Sequence, residues 1–180
     1  MKNKALIGTL IGLVILVVGS MIYDQTKSDS SKNDVVKIGI LQYVTHDALD
    51  EIEKGIEDGL ADAGYDKSNA KITVLNAEAD QSKIQTMSKQ LVSAKNDVLI
   101  GIATPAAQAV AGITSDIPVV GTAITDFAAS GLVDSNDAPG GNVTGSSDLT
   151  PVEAQINLLK KVCPDAKTVG ILYCSAESNS

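Results

Sequence analysis

Residues 97–109 read DVLIGIATPAAQA, and the change of pattern inside them decides the fold. The first part, DVLIGIA, is apolar on both faces, which suits a central parallel strand covered by helices on each side. At Thr104-Pro105 the character changes. Threonine is a good helix N-cap, proline suits the first helical position, and the small residues that follow favour helix. A buried strand that passes directly into a helix is the start of a βα unit, and it aims the unpaired amides of Ala106 and Ala107 at whatever lies beyond the strand.

The same alternation extends in both directions. VVKIGILQ (35–42) reads as a strand, and Leu49, Ile52, Ile56, Leu60 and Ala63 then recur at helical spacing, with Glu51, Glu53, Lys54, Glu57 and Asp58 on the opposite face. KITVLNAEA (71–79) is a second strand, Asp80 an N-cap, and Ile84, Met87 and Leu91 the inner stripe of the next helix. IPVVGTAI (117–124) is another buried strand. The order predicts an α/β fold with an open, doubly wound parallel sheet.

The chain then loosens into DSNDAPGGNVTGSSD (134–148), where Pro139, Gly140 and Gly141 mark a turn and NVTG is a short strand or a crossover. The N-x-T match at Asn142 fits a glycosylation acceptor, but nothing else in the sequence indicates the secretory route it needs. A helix is expected from Pro151 to about Lys161. KTVGILY (167–173) is expected to be a further strand, similar in pattern to the first. A lone helix and strand after a crossover cannot bury their own apolar faces, so either these residues are the first helix and strand of a second lobe that is cut short, or Leu158, Leu159, Ile171 and Leu172 pack onto the first lobe.

Residues 1–23, MKNKALIGTLIGLVILVVGSMIY, place Lys2 and Lys4 before an uncharged run from Ala5 to Tyr23. As a helix that run spans about 28 Å, close to a bilayer core. It reads as an uncleaved transmembrane anchor rather than a cleaved signal peptide, since Val18-Gly19-Ser20 is a poor cleavage site, although secretion after cleavage stays open. No cysteine follows the run to carry a lipid. The positive-inside tendency puts everything after Tyr23 on the outer face, with residues 24–34 as a polar linker. The expected organisation is therefore anchor 1–23, linker 24–34, first lobe 35–145, and crossover plus incomplete second lobe 146–180.

Composition removes several classes of function. The net charge is −8, with 14 basic residues scattered among 22 acids, so no nucleic-acid surface is expected. Aromatic content is 3%, and any ring contact to a ligand must come from Tyr43, Tyr65, Phe127 or Tyr173. Cys163 and Cys174 match no metal or redox spacing. A strand between them would hold their α-carbons roughly 20 Å or more apart. A disulfide needs less than about 7 Å, so both are expected to be free thiols.

In open α/β sheets ligands bind beyond the carboxyl ends of the strands. There the sequence places Gln42, Tyr43, Thr45 and His46, then Glu78 and Asp80, then Thr104, then Thr122, Thr125 and Asp126, and last Ser175, Glu177, Ser178 and Asn179. The set holds hydroxyls, amides and acids but no Lys or Arg, which disfavours a phosphate. Glycine-rich nucleotide loops and the G-x-S-x-G elbow are absent. His46 is the single histidine, so a two-histidine metal site is excluded, and no cofactor is expected. The start of the 104–111 segment, with free amides and a helix dipole, suits a carboxylate.

Five stretches together, THDALD (45–50), GIATPAAQA (101–109), GTAITD (121–126), PGGNVTG (139–145) and PDAKTVGILYCSAESNS (164–180), resemble the exported substrate-binding component of ABC transporters. The likeness is to the family whose characterised members bind tryptophan or tyrosine, and it runs from about Val36 to Ser180. The resemblance implies two α/β lobes closing on an amino acid, an ABC permease as partner, no enzymatic activity, and a bacterial membrane setting outside the cell. By position it places Tyr43 and His46 on the wall of the first lobe and Thr104 and Ala106 against the ligand carboxylate. Thr122, Thr125 and Asp126 would add polar contacts, with Asp126 or Glu78 taking the ammonium. Ser175, Glu177, Ser178 and Asn179 would belong to the second lobe. Phe127 departs from the proline common there, and the chain stops where the second lobe should continue, as a C-terminal truncation would. Two rival expectations are a remnant that binds nothing and an anchored α/β enzyme using His46 with Glu78 or Asp80.

Overall fold

Five parallel strands form one sheet in the order β2-β1-β3-β4-β5 in a computed structural model of the chain, which describes residues 35–175. They are β1 (Val36–Gln42), β2 (Ala70–Asn76), β3 (Val98–Ile102), β4 (Val119–Ile124) and β5 (Val143–Ser147). The helices are α1 (Asp47–Asp62), α2 (Gln81–Ser93), α3 (Thr104–Ala111) and α4 (Val152–Val162). The expected anchor, the linker and the residues Glu177, Ser178 and Asn179 lie outside the described residues. Among the described residues no helix is long and apolar enough to cross a membrane.

Each face of the sheet has its own core. On one, α2 and α3 bring Ile84, Leu91, Ala106, Ala107 and Val110 against Leu41, Leu99 and Val119. On the other, the stripe Leu49, Ile52, Ile56 and Leu60 of α1 covers Ile38, Ile40, Ile100 and Ile102. The continuous apolar runs of β1 and β3 follow from this double coverage. Gly101 permits a close approach of helix to strand. A β-carbon there would stand 2.5 Å from the Ala107 α-carbon, so α3 lies against β3 nearly backbone to backbone.

The loop that the sequence left open resolves as β5, parallel to β4. Asn142 is used internally, its side-chain amide donating to the carbonyls of Thr114 and Ile117 at 3.1 and 2.7 Å. Phe127 is a core residue, packed above Gly121 and Gly145, where any side chain would collide with its ring.

Two expectations are corrected after β5. Pro151 is the N-cap of α4 rather than its first helical residue. Residues 167–173 form no strand, and Ile171 and Leu172 are 82% and 101% exposed. A strand needs a neighbour for its backbone N–H and C=O groups, and none of the described residues pairs with this stretch. Cys163 and Cys174 are exposed free thiols.

Asp80 caps α2 as expected, its Oδ1 accepting from the amides of Ser82 and Lys83 at 2.7 and 2.9 Å. Those bonds, Lys83 first, hold its carboxyl below the usual carboxylate range. A depressed native pKa stabilises the fold above the unfolded value and ceases to do so as pH falls through the native one. Asp80→Ala should therefore lower the thermal midpoint at neutral pH, and the difference from the parent should fade below about pH 4. A gap that persists undiminished in acid would show that the charged cap is not its source.

Candidate functional site

The strand order places a topological switch between β1 and β3. From β1 the chain turns outward to β2, and from β3 it turns the opposite way to β4. Loops leaving in opposite directions open a crevice at the carboxyl ends of those two strands, and this is where such sheets take ligands. Gln42, Ile102 and Thr122 lie side by side in register, so Tyr43, Ala103 and Ala123 form the next row outward and Thr104 follows directly. The rim is knitted by backbone: Tyr43 N donates to Ile102 O, Ala103 N to Thr122 O, and Ala79 N to Tyr43 O.

Ala103 has φ 74° and ψ 154°, a region occupied almost only by glycine. That single residue turns the chain from β3 into α3. It, not Thr104, is the N-cap, and no side chain caps this helix. The expected bare amides are also corrected. Ala106 N and Ala107 N both donate to Ala103 O at 3.1 Å, and Pro105 has no N–H. Ala106 is fully buried beneath them. What the turn leaves without a partner is the side chain of Thr104. Its residue is fully buried, and its Oγ1 has no hydrogen-bond partner.

Such strain, held by close packing, costs about 1–3 kcal/mol and clusters at binding sites. Ala103→Gly should stabilise the fold by about 1 kcal/mol, since glycine adopts this conformation freely but adds unfolded-state entropy. It should also weaken any ligand held at Thr104 by a few fold, because the turn is less fixed. Chemical denaturation and titration together check this, and a destabilised Gly variant would rule strain out.

A second buried polar side chain belongs to Gln42, which the sequence placed at a strand end without giving it a role. Gln42 is fully buried, and its Nε2 donates to Val44 O at 2.9 Å and to Asp50 Oδ1 at 2.6 Å, while Oε1 has no partner. Its sequence signal was an amide at the carboxyl end of β1.

The remaining candidates separate. Tyr43 is half-buried at the crevice. His46 is the exposed N-cap of α1, its Nδ1 accepting from Ala48 N at 3.2 Å. Glu78 pairs with Lys83, and Asp80 is committed to its cap. An acid–base constellation of His46 with Glu78 or Asp80 thus finds each group already engaged in local structure. Thr122 faces the α1 side of the sheet, and the Thr125 carbonyl accepts from Ser147 Oγ at 2.8 Å. Asp126 Oδ1 accepts from Ala129 N at 3.0 Å and from Asn136 Nδ2 at 3.2 Å, and these bonds lower its pKa. Beside it a cavity of about 220 Å³ opens between Phe127, Asn136 and Ser147. Ser175 is exposed at the end of the described chain. No group of three or more His, Cys, Asp or Glu side chains among the described residues is placed to hold a metal ion.

A family model described as ABC transporter substrate binding protein matches residues 37–180. A tyrosine-binding protein of Clostridioides difficile is 42% identical over 158 residues, covering 87% of this chain and 45% of that protein. An ABC domain from Streptococcus pneumonia, solved in complex with L-Trp, is 53% identical with a TM-score of 0.78, over 81% of this chain and 50% of that one. The ligand-free, open structure of a Clostridium difficile substrate binding protein with adhesive properties is 41% identical with a TM-score of 0.68, at the same coverage of 81% and 50%. The chain therefore spans about half the length of the relatives it matches.

Proposed function

The chain belongs to the ABC transporter substrate binding protein family, and from that premise we propose that its α/β unit captures an amino acid of the tryptophan or tyrosine type. The observation that carries this reading is the buried, unpartnered Thr104 Oγ1 at the start of α3, just beyond the carboxyl end of β3. A hydroxyl without a partner is costly to bury, and a ligand carboxylate accepting from it removes that cost. Half-buried Tyr43 supplies a ring on the neighbouring strand. Asp126, kept ionised by its own backbone bonds, or Glu78 offers a partner for the ammonium. Ala106, Thr122, Thr125 and His46 complete the first-lobe wall. Ser175, Glu177, Ser178 and Asn179 face the ligand from a second lobe. The names of the relatives, one tyrosine-binding and one carrying L-Trp, support an aromatic side chain.

In the cell the ligand passes to an ABC permease. The uncharged run 5–23 holds the α/β unit at the outer face of a bacterial membrane. The role is binding, without catalysis.

Thermal unfolding with single amino acids tests the reading. L-tryptophan or L-tyrosine at millimolar concentration should raise the midpoint in proportion to the logarithm of ligand added, as mass action requires. The D-enantiomers should do so less. No shift from any amino acid would remove the proposal.

A further inference from the structure

Tyr43 follows directly on β1, and the loop that carries it, residues 43–46, is tied down at every residue. Tyr43 N donates to Ile102 O at 3.3 Å, and Tyr43 O accepts from Ala79 N at 2.9 Å. Val44 O accepts from Gln42 Nε2 at 2.9 Å, Thr45 Oγ1 from Asn76 Nδ2 at 3.0 Å, and His46 Nδ1 from Ala48 N at 3.2 Å. Thr45 and His46 are exposed, and exposed connections are as a rule the mobile part of a fold.

Two amide side chains supply ties that the backbone does not. Gln42 and Asn76 are register partners at the last positions of β1 and β2, so both leave the sheet on one face. Gln42 Nε2 uses both its hydrogens, one on Val44 O and one on Asp50 Oδ1 in the first turn of α1, at 2.6 Å. Asn76 uses both ends of its amide: Nδ2 reaches Thr45 Oγ1, and Oδ1 accepts from Glu78 N at 2.8 Å. Glu78 and Ala79 have φ of 52° and 59°, a left-handed turn that brings Ala79 N within reach of the Tyr43 carbonyl. Asn76 therefore holds the loop from the side of β2, and Gln42 holds it from the side of α1. The arrangement leaves Gln42 Oε1 buried without a partner, a cost that an apolar side chain of the same size would avoid.

We propose that Gln42 and Asn76 are positioning residues for ligand binding: through the loop 43–46 they set the Tyr43 ring before the ligand arrives, so that little ordering is left for the binding step. The inference rests on the amino-acid reading above and adds to it two side chains that act without touching the ligand.

Calorimetric titration of the full chain with L-tryptophan, and thermal unfolding of the same samples without ligand, test it. Gln42→Met should weaken binding roughly three- to tenfold and leave the midpoint close to that of the parent, because the unpartnered oxygen goes together with the two bonds. Asn76→Ala should weaken binding by a similar factor. The two corresponding acids should behave oppositely. Asn76→Asp keeps an acceptor for Glu78 N and accepts from the Thr45 hydroxyl, so its affinity should stay within about twofold of the parent. Gln42→Glu sets a carboxylate against Val44 O and the Asp50 carboxylate with no hydrogen for either, and it should bind no better than Gln42→Met. In a Tyr43→Ala background neither Gln42→Met nor Asn76→Ala should weaken binding further, since the ring they position is gone. Full affinity in Gln42→Met and Asn76→Ala, whatever their midpoints, or losses that persist undiminished without the Tyr43 ring, would overturn the proposal while leaving the amino-acid reading intact. A parent chain that binds no amino acid would overturn that reading, and the proposal with it.

Discussion

Gly101→Ala is expected to destabilise the α/β unit by about 3 kcal/mol or more. The new β-carbon would lie 2.5 Å from the Ala107 α-carbon and 2.7 Å from the Ala107 nitrogen. Both are backbone atoms, so no rotamer change relieves the clash, and α3 must lift from β3. Ala106, Ala107 and Val110 would lose their contact with the sheet, and all three are fully buried. The proposed site should be lost with them, because Thr104 is the first residue of that helix. Urea denaturation should show a lower midpoint with an unchanged slope, and ligand stabilisation should vanish. A cost under about 1 kcal/mol would mean that α3 slides along the strand and that the close approach is not needed.

Thr104→Val should act in opposite directions on stability and on binding. Valine has nearly the shape of threonine but no hydroxyl, and the hydroxyl here is buried without a partner. Removing a buried unsatisfied group should stabilise the ligand-free fold by about 1 kcal/mol or more. A hydrogen bond to a charged group contributes about 1.5–3 kcal/mol, so affinity for an amino-acid carboxylate should fall roughly ten- to hundredfold. Denaturation and titration of the same sample separate the two effects. Should the variant lose stability as well, Thr104 would be an ordinary core residue.

The fold was legible where a pattern was long. The apolar runs of β1 and β3, the stripe of α1 and the cap at Asp80 each follow from periodicity and local chemistry, and the structure places them as expected. The turn at Ala103 was not legible, because alanine carries no sign of a glycine-like conformation. The Thr-Pro pair therefore suggested a cap one residue too late. The consequence for the proposed site is a shift from the amides of Ala106 and Ala107 to Thr104 itself. Residues 167–173 have the composition of a strand, yet pairing is a property of neighbours, and without one among the described residues the stretch forms no strand and lies exposed. Strand order was likewise invisible in the sequence, although it is what places the crevice between β1 and β3.

The central claim is that Thr104 holds the carboxylate of an amino acid, and calorimetric titration with L-tryptophan and with tryptamine tests it most directly. Tryptamine keeps the ring and the ammonium but has no carboxylate. Thr104→Val should weaken L-tryptophan roughly ten- to hundredfold and leave the weaker tryptamine binding unchanged. Equal weakening of both ligands, or no saturable binding of L-tryptophan by the parent chain, would contradict the account.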